Sequence, residues 1–210
     1  MQQNKSFLGA VIYIDLRGYT KIVEEKVLEN IAQLIYNYQE VITQKINNLY
    51  TDEDIAIIEY MGDGVMIIIK QQELEVTNTD MFAHNIYQNA TTIKNSVLKI
   101  LKLEKEKYTD LDSIDFGMAV SLSKIYQKNI TTNRNQQRKM FFGVSLNRAT
   151  KIGNAMDAKK NHIGIDKKMY DDYLVNTLHK YNMVKGTKPI VHMYSENITK
   201  PSSERKASLK

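Results

Sequence analysis

Two aspartates stand at the ends or turns of short apolar runs, where together they could hold divalent cations. Asp15 closes the run VIYID, and Asp63 lies in MGDG, between the β-rich runs DIAIIEY and VMIIIK. If the hairpin predicted from those two runs lies beside the first strand, both carboxylates emerge at one end of one sheet. Carboxylates a few ångströms apart repel each other, so such a pair is stable mainly with cations between them. Taken singly, each aspartate is more often a turn or cap residue.

Oxygen ligands of this kind suit Mg²⁺ or Mn²⁺, which keep waters and prefer phosphates as partners. Two such ions could clamp the attacking and leaving oxygens of an in-line displacement at phosphorus. Gly18 would let the backbone after Asp15 pass close to phosphate oxygens. Its amide and those of Tyr19 and Thr20 lie near a predicted helix N-terminus, where anions are favoured.

The elements that must position these residues alternate between strands and helices. Strands are predicted from Val, Ile and Tyr enrichment, and helices from apolar residues at spacings of three and four. The predicted strands cover 8–15, 54–60, 65–70, 113–126, the start of 164–174, and a closing hairpin in 181–196. The predicted helices cover 21–49, with a possible break near 25–28, and also 81–107, 144–157 and the rest of 164–174. Segments 73–80 and 127–140 are predicted as loops. This order predicts an α+β fold with helices on one face of the sheet.

Composition limits the possible functions. The chain has 210 residues, of which 42% are hydrophobic and 25% charged, as in ordinary soluble domains. Without cysteine it has no disulfide, thiolate zinc site or cysteine nucleophile. The start of the chain shows no secretory signal pattern and no apolar run is long enough for a membrane span, so a cytoplasmic protein is expected. The net charge of +5 fits a basic tail plus a phosphate-handling site better than a nucleic-acid binder.

Three segments occur in the order and form that resemble the signatures of class III nucleotide cyclases, the adenylate and guanylate cyclase catalytic domain. They are YIDLRGYT, GDGVMI and FGVSLNRATKI, and the later VKGTKPIVHMY is similar to the closing hairpin of that family. The resemblance covers about residues 8–195. It implies a ferredoxin-like mixed or antiparallel sheet, working as a head-to-tail homodimer with two sites at the interface. Residues 1–195 would form the catalytic domain and 196–210 a disordered basic tail.

By that resemblance, Asp15 and Asp63 are the two metal-binding aspartates, and two Mn²⁺ or Mg²⁺ ions bind per site. Leu16 falls where the family supplies a backbone carbonyl to one metal. The substrate implied is a nucleoside triphosphate, with neither nucleic acid nor membrane as a partner.

The same resemblance places a substrate-binding pair on the helix predicted over 144–157. Asn147 falls on the residue that orients the ribose, and Lys151, four residues later, replaces the arginine that stabilises the transition state. Residues four apart share a helix face, so both can point at one ligand. Lysine keeps the charge but loses the bidentate fork, and Arg148 is a nearby substitute. Lys185 or Lys188 would reach the terminal phosphates.

Base choice in the family depends mainly on two positions, occupied here by Glu59 and Met140. An ionised Glu59 only accepts hydrogen bonds, so it could accept from guanine, cytosine or uracil but could not donate to adenine N1. Met140 offers bulk without polar readout, which favours a smaller ring. Stand-alone cyclases with such changes resemble the pyrimidine cyclases of bacterial Pycsar anti-phage systems. Those enzymes make cyclic UMP or cyclic CMP, which activates a separate effector protein.

Three alternatives stay open at this point. Glu59 matches guanylate cyclases, and only Met140 argues against that reading. A catalytically silent, nucleotide-sensing homologue is disfavoured because both aspartates and Asn147 are present. A nucleic-acid binder would interleave aromatic residues with basic ones, and 127–139 contains no aromatic residue beyond Tyr126 at its edge.

Overall fold

A computed structural model supplies the three-dimensional description. It describes residues 5–19, 28–72, 78–108, 111, 113–131, 137–156, 163–175, 181–185 and 192–196, without the side chains of residue 28 or of the last two ranges. Thr20, Lys188, the predicted helix start at 21–27, the middle of both predicted loops and the predicted tail from 197 onward lie outside these ranges.

One eight-stranded mixed sheet organises the described chain. Its order is β2-β3-β1-β4-β6-β8-β7, with β5 added to β4. All neighbouring strands are antiparallel except β4 and β6, which run parallel. The strands are β1 (Lys5–Arg17), β2 (Ile55–Met61), β3 (Gly64–Lys70), β4 (Asp115–Thr131), β5 (Gln137–Phe142), β6 (Gly164–Asp166), β7 (Tyr181–Lys185) and β8 (His192–Glu196). The predicted α+β class is confirmed.

Strand β1 lies between β3 and β4, so both of its edges are hydrogen-bonded, and an apolar cluster covers each of its faces. Its even-numbered residues, such as Ile12 and Ile14, join the main core, whereas Val11 and Tyr13 join a second apolar cluster on the other face. This alternation follows from the two-residue period of an extended chain. Because β1 is central, a side chain at its end is held between two neighbouring strands.

Two long helices cover the face of the main core. They are α1 (Leu28–Leu49) and α2 (Thr79–Lys107), and α2 begins at Asn78, whose side chain accepts a hydrogen bond from the Met81 amide at 3.1 Å. The apolar stripes predicted in these segments are buried, including Leu34, Ile42, Ile86 and Val97. None of the helices in the described ranges is both long and apolar enough to cross a membrane.

A third helix, α3 (Val144–Ala155), packs against the opposite face of the sheet. Its Ala149 joins the cluster around Val11 and Tyr13, and its Ile152 packs against Ala119. The prediction of helices on one face is therefore correct for α1 and α2 and wrong for α3. After β6, the short helix α4 (Lys167–Met169) continues as a π-helical turn, Tyr170–Leu174, into the main core.

Two local predictions need correction. Segment 127–140 was predicted as a loop, but β4 runs on to Thr131 and pairs with β5 from Gln137 onward. The described side chains of this hairpin are mostly polar and exposed, so they lack the apolar alternation that marks a strand. In the β2–β3 hairpin, the turn consists of Gly62 and Asp63, and Gly64 already belongs to β3.

Candidate active site

Sheet pairing brings the two aspartates to the same place. Asp15 pairs with Gly64 across β1 and β3, and Asp63 directly precedes Gly64 in the turn. A side-chain methyl at Gly64 would lie 3.2 Å from Oδ1 of Asp15, so the carboxylate stands directly over the end of the hairpin. The turn needs glycine at position 62, where φ is +67°. Helix α1 holds it by a 2.7 Å hydrogen bond from Gln39 Nε2 to the Gly62 carbonyl.

The pKa values of Asp15 and Asp63 show that this end of β1 disfavours their ionised forms. Burial raises the pKa of Asp15, and the nearby Arg17 guanidinium opposes that rise. Burial also raises the pKa of Asp63, and the negative charge of Asp15 raises it further, whereas a backbone hydrogen bond at Asp63 and the charge of Arg17 oppose the rise. The negative charge of Asp15 thus disfavours the ionisation of Asp63, which is the situation a shared cation relieves.

These residues fit a divalent cation with oxygen ligands. No group of three or more His, Asp or Glu side chains converges anywhere in the described ranges, so the remaining ligands would be backbone, water or substrate oxygens. The neighbouring core also contains a polar group without a described partner. Tyr38 of α1 is fully buried with a hydroxyl that has no described partner, and burial, together with the charges of Asp15 and Asp63, raises its pKa well above 10.

Two residues that the sequence reasoning missed complete this end of β1. The Tyr13 hydroxyl donates a hydrogen bond to the Asp15 carboxylate, and burial followed by the charge of Asp15 raises the pKa of Tyr13 to about 12. Arg17 Nη1 lies 3.4 Å from Asp15 Oδ2, and Arg17 Nη2 donates to the Gly153 carbonyl of α3. The signal was present in the sequence, because Tyr13, Asp15 and Arg17 are two residues apart and so share one face of a strand.

The residues after Asp15 differ in their surroundings. Leu16 has its side chain in the main core, paired across from Phe116. Gly18 has φ +79°, and a side chain there would approach the Ser113 carbonyl at 3.2 Å, so glycine is required for this close passage. Tyr19 packs its ring against the main core, which gives it a structural contact in addition to its backbone amide.

Helix α3 presents the second group of predicted residues. Asn147 and Lys151 line one cavity of about 550 Å³. The remaining lining residues are Val144, Arg148, Ile152, Asp166, Lys167, Lys168, Asp171 and Asp172. The cations at 167 and 168 pair with the acids at 171 and 172. Lys151 makes no ion pair with any described residue and is exposed, so its charge is available to an anionic ligand.

Arg148, by contrast, is engaged within the fold. Its Nη1 lies 3.0 Å from Oδ2 of Asp166, a carboxylate whose side chain is only 6% exposed. The Ser121 hydroxyl donates to the same oxygen at 3.2 Å. A buried carboxylate needs such partners, so the proposed substitution of Arg148 for the missing arginine would require breaking this contact.

Asn147 also borders a second cavity, of about 440 Å³, whose lining is mainly aromatic and apolar. Its other lining residues are Tyr126, Phe141, Phe142, Gly143, Val144 and Leu146. Asn147 therefore borders both a charged cavity and an aromatic cavity.

The residues predicted to read the base lie apart from each other. Glu59 is exposed on edge strand β2, paired with Met66, and Met140 is exposed on β5, paired with Lys128. Neither lines the two cavities beside Asn147. Lys185 ends β7, where it pairs with His192, and its side chain is outside the described part of the chain.

Neither aspartate lines the two cavities beside α3, so the predicted site residues of one chain fall into two groups, which we call half-sites. One half-site consists of Asp15 and Asp63 at the end of β1. The other consists of Asn147 and Lys151 on α3.

Comparison with known proteins finds similar solved structures but no matching family model or curated protein. The fold is similar to that of the guanylyl cyclase Cya2, with a TM-score of 0.71 and 15% identity over 97% of this chain and 98% of that one. It is similar to the adenylyl cyclase CyaB from P. aeruginosa, with a TM-score of 0.68 and 16% identity over 95% and 98% of the two chains.

A third similar structure is the guanylate cyclase domain of RhGC from Catenaria anguillulae in complex with GTP. Its TM-score is 0.60 and its identity 14%, over 91% of this chain and 96% of that one. The similarity spans nearly the whole chain in each case. The chain therefore has the fold of the nucleotide cyclase catalytic domains.

Proposed function

We propose that this protein is a nucleotide cyclase, which converts a nucleoside triphosphate into its 3′,5′-cyclic monophosphate and pyrophosphate. The observation that carries the proposal is the meeting of Asp15 and Asp63 across the β1–β3 pairing, with pKa values raised by burial. Such a pair is suited to cations that also bind phosphates. The cyclase fold of the similar structures supports the same reaction class.

The reaction is an in-line displacement at the α-phosphorus. The ribose 3′-oxygen forms a bond to the α-phosphorus, the bond to the α–β bridging oxygen breaks, pyrophosphate leaves, and the hydroxyl proton passes to water. Mn²⁺ or Mg²⁺ bound by Asp15, Asp63 and the Leu16 carbonyl would lower the pKa of the 3′-hydroxyl. The backbone from Gly18 to Thr20 would approach the phosphates closely.

The residues of α3 orient the substrate and neutralise charge. Asn147 would hold the ribose between the aromatic and charged cavities, and Lys151 would neutralise the charge that develops near the bridging oxygen. Lys185 would contact the terminal phosphates.

We infer a homodimer because each chain presents two separate half-sites. In a head-to-tail pair, the aspartates of one subunit would face Asn147 and Lys151 of the other, so that two complete sites form. Exposed apolar side chains near the second half-site, including Phe142 and Val144, would be covered in such a pair.

For the substrate we propose a pyrimidine nucleotide, UTP or CTP. Glu59 can accept hydrogen bonds from either base, and Met140 adds bulk without a polar group. A cyclic UMP or cyclic CMP product would act as a second messenger for a separate effector protein in anti-phage defence. GTP is the second candidate, because Glu59 could equally accept from guanine N1–H and N2–H₂.

The test is turnover by the purified protein with Mn²⁺ and each of the four ribonucleoside triphosphates, with the product identified by chromatography against cyclic nucleotide standards. Cyclic UMP or cyclic CMP is expected. A preference for GTP would establish the guanylate cyclase alternative. Absence of turnover with all four substrates would contradict the proposed reaction and favour a nucleotide-sensing module.

A further inference from the structure

Tyr13 is held rigidly beneath the proposed metal site. Tyr13 is only 6% exposed, and its backbone pairs with Met66 of β3 on one side and Ala119 of β4 on the other. Helix α3 closes over its ring at Gly153, where a side-chain methyl would lie 2.5 Å from Cδ1 and 3.2 Å from Cε1. Because this space is filled by the ring, Tyr13 has little freedom to move away from the end of the strand.

The Tyr13 hydroxyl reaches the same point as the Asp15 carboxylate. A methyl at Gly64 would lie 3.5 Å from the Tyr13 hydroxyl and 3.2 Å from Asp15 Oδ1, so both oxygens stand over the hairpin end. The hydroxyl donates a hydrogen bond to the carboxylate. Arg17 Nη1 lies 3.4 Å from Oδ2 of the same carboxylate, and Arg17 Nη2 donates to the Gly153 carbonyl.

We propose that Tyr13 is a positioning residue, whose hydroxyl orients the Asp15 carboxylate for a divalent cation. The inference rests on the proposed metal-dependent function. A carboxylate without such a partner rotates among several orientations, and fixing one of them reduces the entropy lost on metal binding. The hydrogen bond is uncharged on the donor side, so it persists when a cation displaces Arg17 as the charge partner of Asp15.

The experiment measures Mn²⁺ affinity directly for the full chain and for Tyr13→Phe, from the free Mn²⁺ signal in electron paramagnetic resonance without nucleotide. Removing a residue that orients a metal ligand typically costs about 10–100-fold in affinity, and a weakening of at least about tenfold is expected here. Tyr60→Phe is the matched control, because its exposed phenol lies on β2 and contacts Thr43 of α1. This control is expected to bind Mn²⁺ like the wild type.

A second readout separates orientation from general loss of structure. The half-saturating Mn²⁺ concentration for turnover should rise in Tyr13→Phe, while kcat at saturating Mn²⁺ recovers and the metal-free unfolding midpoint changes little. Equal Mn²⁺ affinity in Tyr13→Phe and the wild type, or no Mn²⁺ binding by the wild type, would overturn the inference. Weakened Mn²⁺ binding in a protein that cyclises no nucleotide would support the role of Tyr13 while contradicting the proposed function.

Discussion

Arg148 and Lys151 are both cations on α3, and replacing each by methionine separates a structural role from a catalytic one. Arg148→Met removes the guanidinium 3.0 Å from Asp166, whose side chain is 6% exposed. Breaking a fully buried ion pair costs about 3–5 kcal/mol. The Arg148 side chain is 40% exposed, so water can replace part of the contact, and the Ser121 hydroxyl remains. We therefore expect a loss of about 2 kcal/mol in the free energy of unfolding.

For a chain of this length, a loss of that size lowers the unfolding midpoint by about 4–8 °C. The assay is thermal unfolding followed by circular dichroism, with Lys151→Met as the matched control on the same helix. Lys151→Met should leave the midpoint nearly unchanged, because Lys151 has no described ion-pair partner. It should lower kcat by about 100-fold or more, as expected when a charge that stabilises a transition state is removed.

The double variant Arg148→Met/Asp166→Asn should recover most of the lost stability, because it removes the unpaired buried charge. Arg148→Met should still cyclise nucleotide below its lowered midpoint. The reasoning would be refuted if Arg148→Met unfolded at the wild-type midpoint and lost as much turnover as Lys151→Met. That result would make Arg148 the substitute for the missing arginine.

Three further predictions concern the aspartates and base choice. Asp63→Asn should abolish turnover yet raise the metal-free unfolding midpoint at pH 8. Because the pKa of Asp63 is raised in the fold, the wild type loses stability as the pH rises above about 3.8. The stability that Asp63→Asn gains over the wild type should therefore vanish on acidification, which paired unfolding scans would measure. Gly64→Ala puts a methyl 3.2 Å from Asp15 Oδ1 and should weaken Mn²⁺ binding in calorimetric titration; unchanged affinity would contradict a site at this position. Glu59→Lys should lower kcat/KM for the preferred nucleotide by about tenfold or more in a four-nucleotide competition assay. If the kcat/KM values of the four nucleotides kept the same ratios as in the wild type, Glu59 would be excluded from base reading.

Much of the architecture was predictable because, in most strands and helices, the local pattern of residue types agrees with the tertiary contacts. The run ending at Asp15 is apolar on both faces, as a central strand requires, and the glycine-containing turn between β2 and β3 is marked by Gly62 and Gly64. The apolar residues of the segment predicted as a helix over 144–157 recur at helical spacing, and Ala149, Ile152 and Met156 are buried there, whereas Leu146 is only partly buried. The hairpin of β4 and β5 was missed because exposed polar residues such as Lys128, Arg138 and Lys139 hide the apolar alternation of a strand. Backbone pairing and the packing of Phe141 against the apolar cluster around Val11 hold it in place.

The sequence by itself determined which residues could carry the chemistry and where the central strand ends, because residue type and a two-residue period depend only on the local chain. The tertiary structure alone decided which groups meet. Pairing of β1 with β3 places Asp15 over Gly64, and packing of α3 on the second face brings Gly153 onto Tyr13 and Arg17. These contacts join residues far apart along the chain, and their geometry depends on the packing of whole elements, which no local pattern specifies.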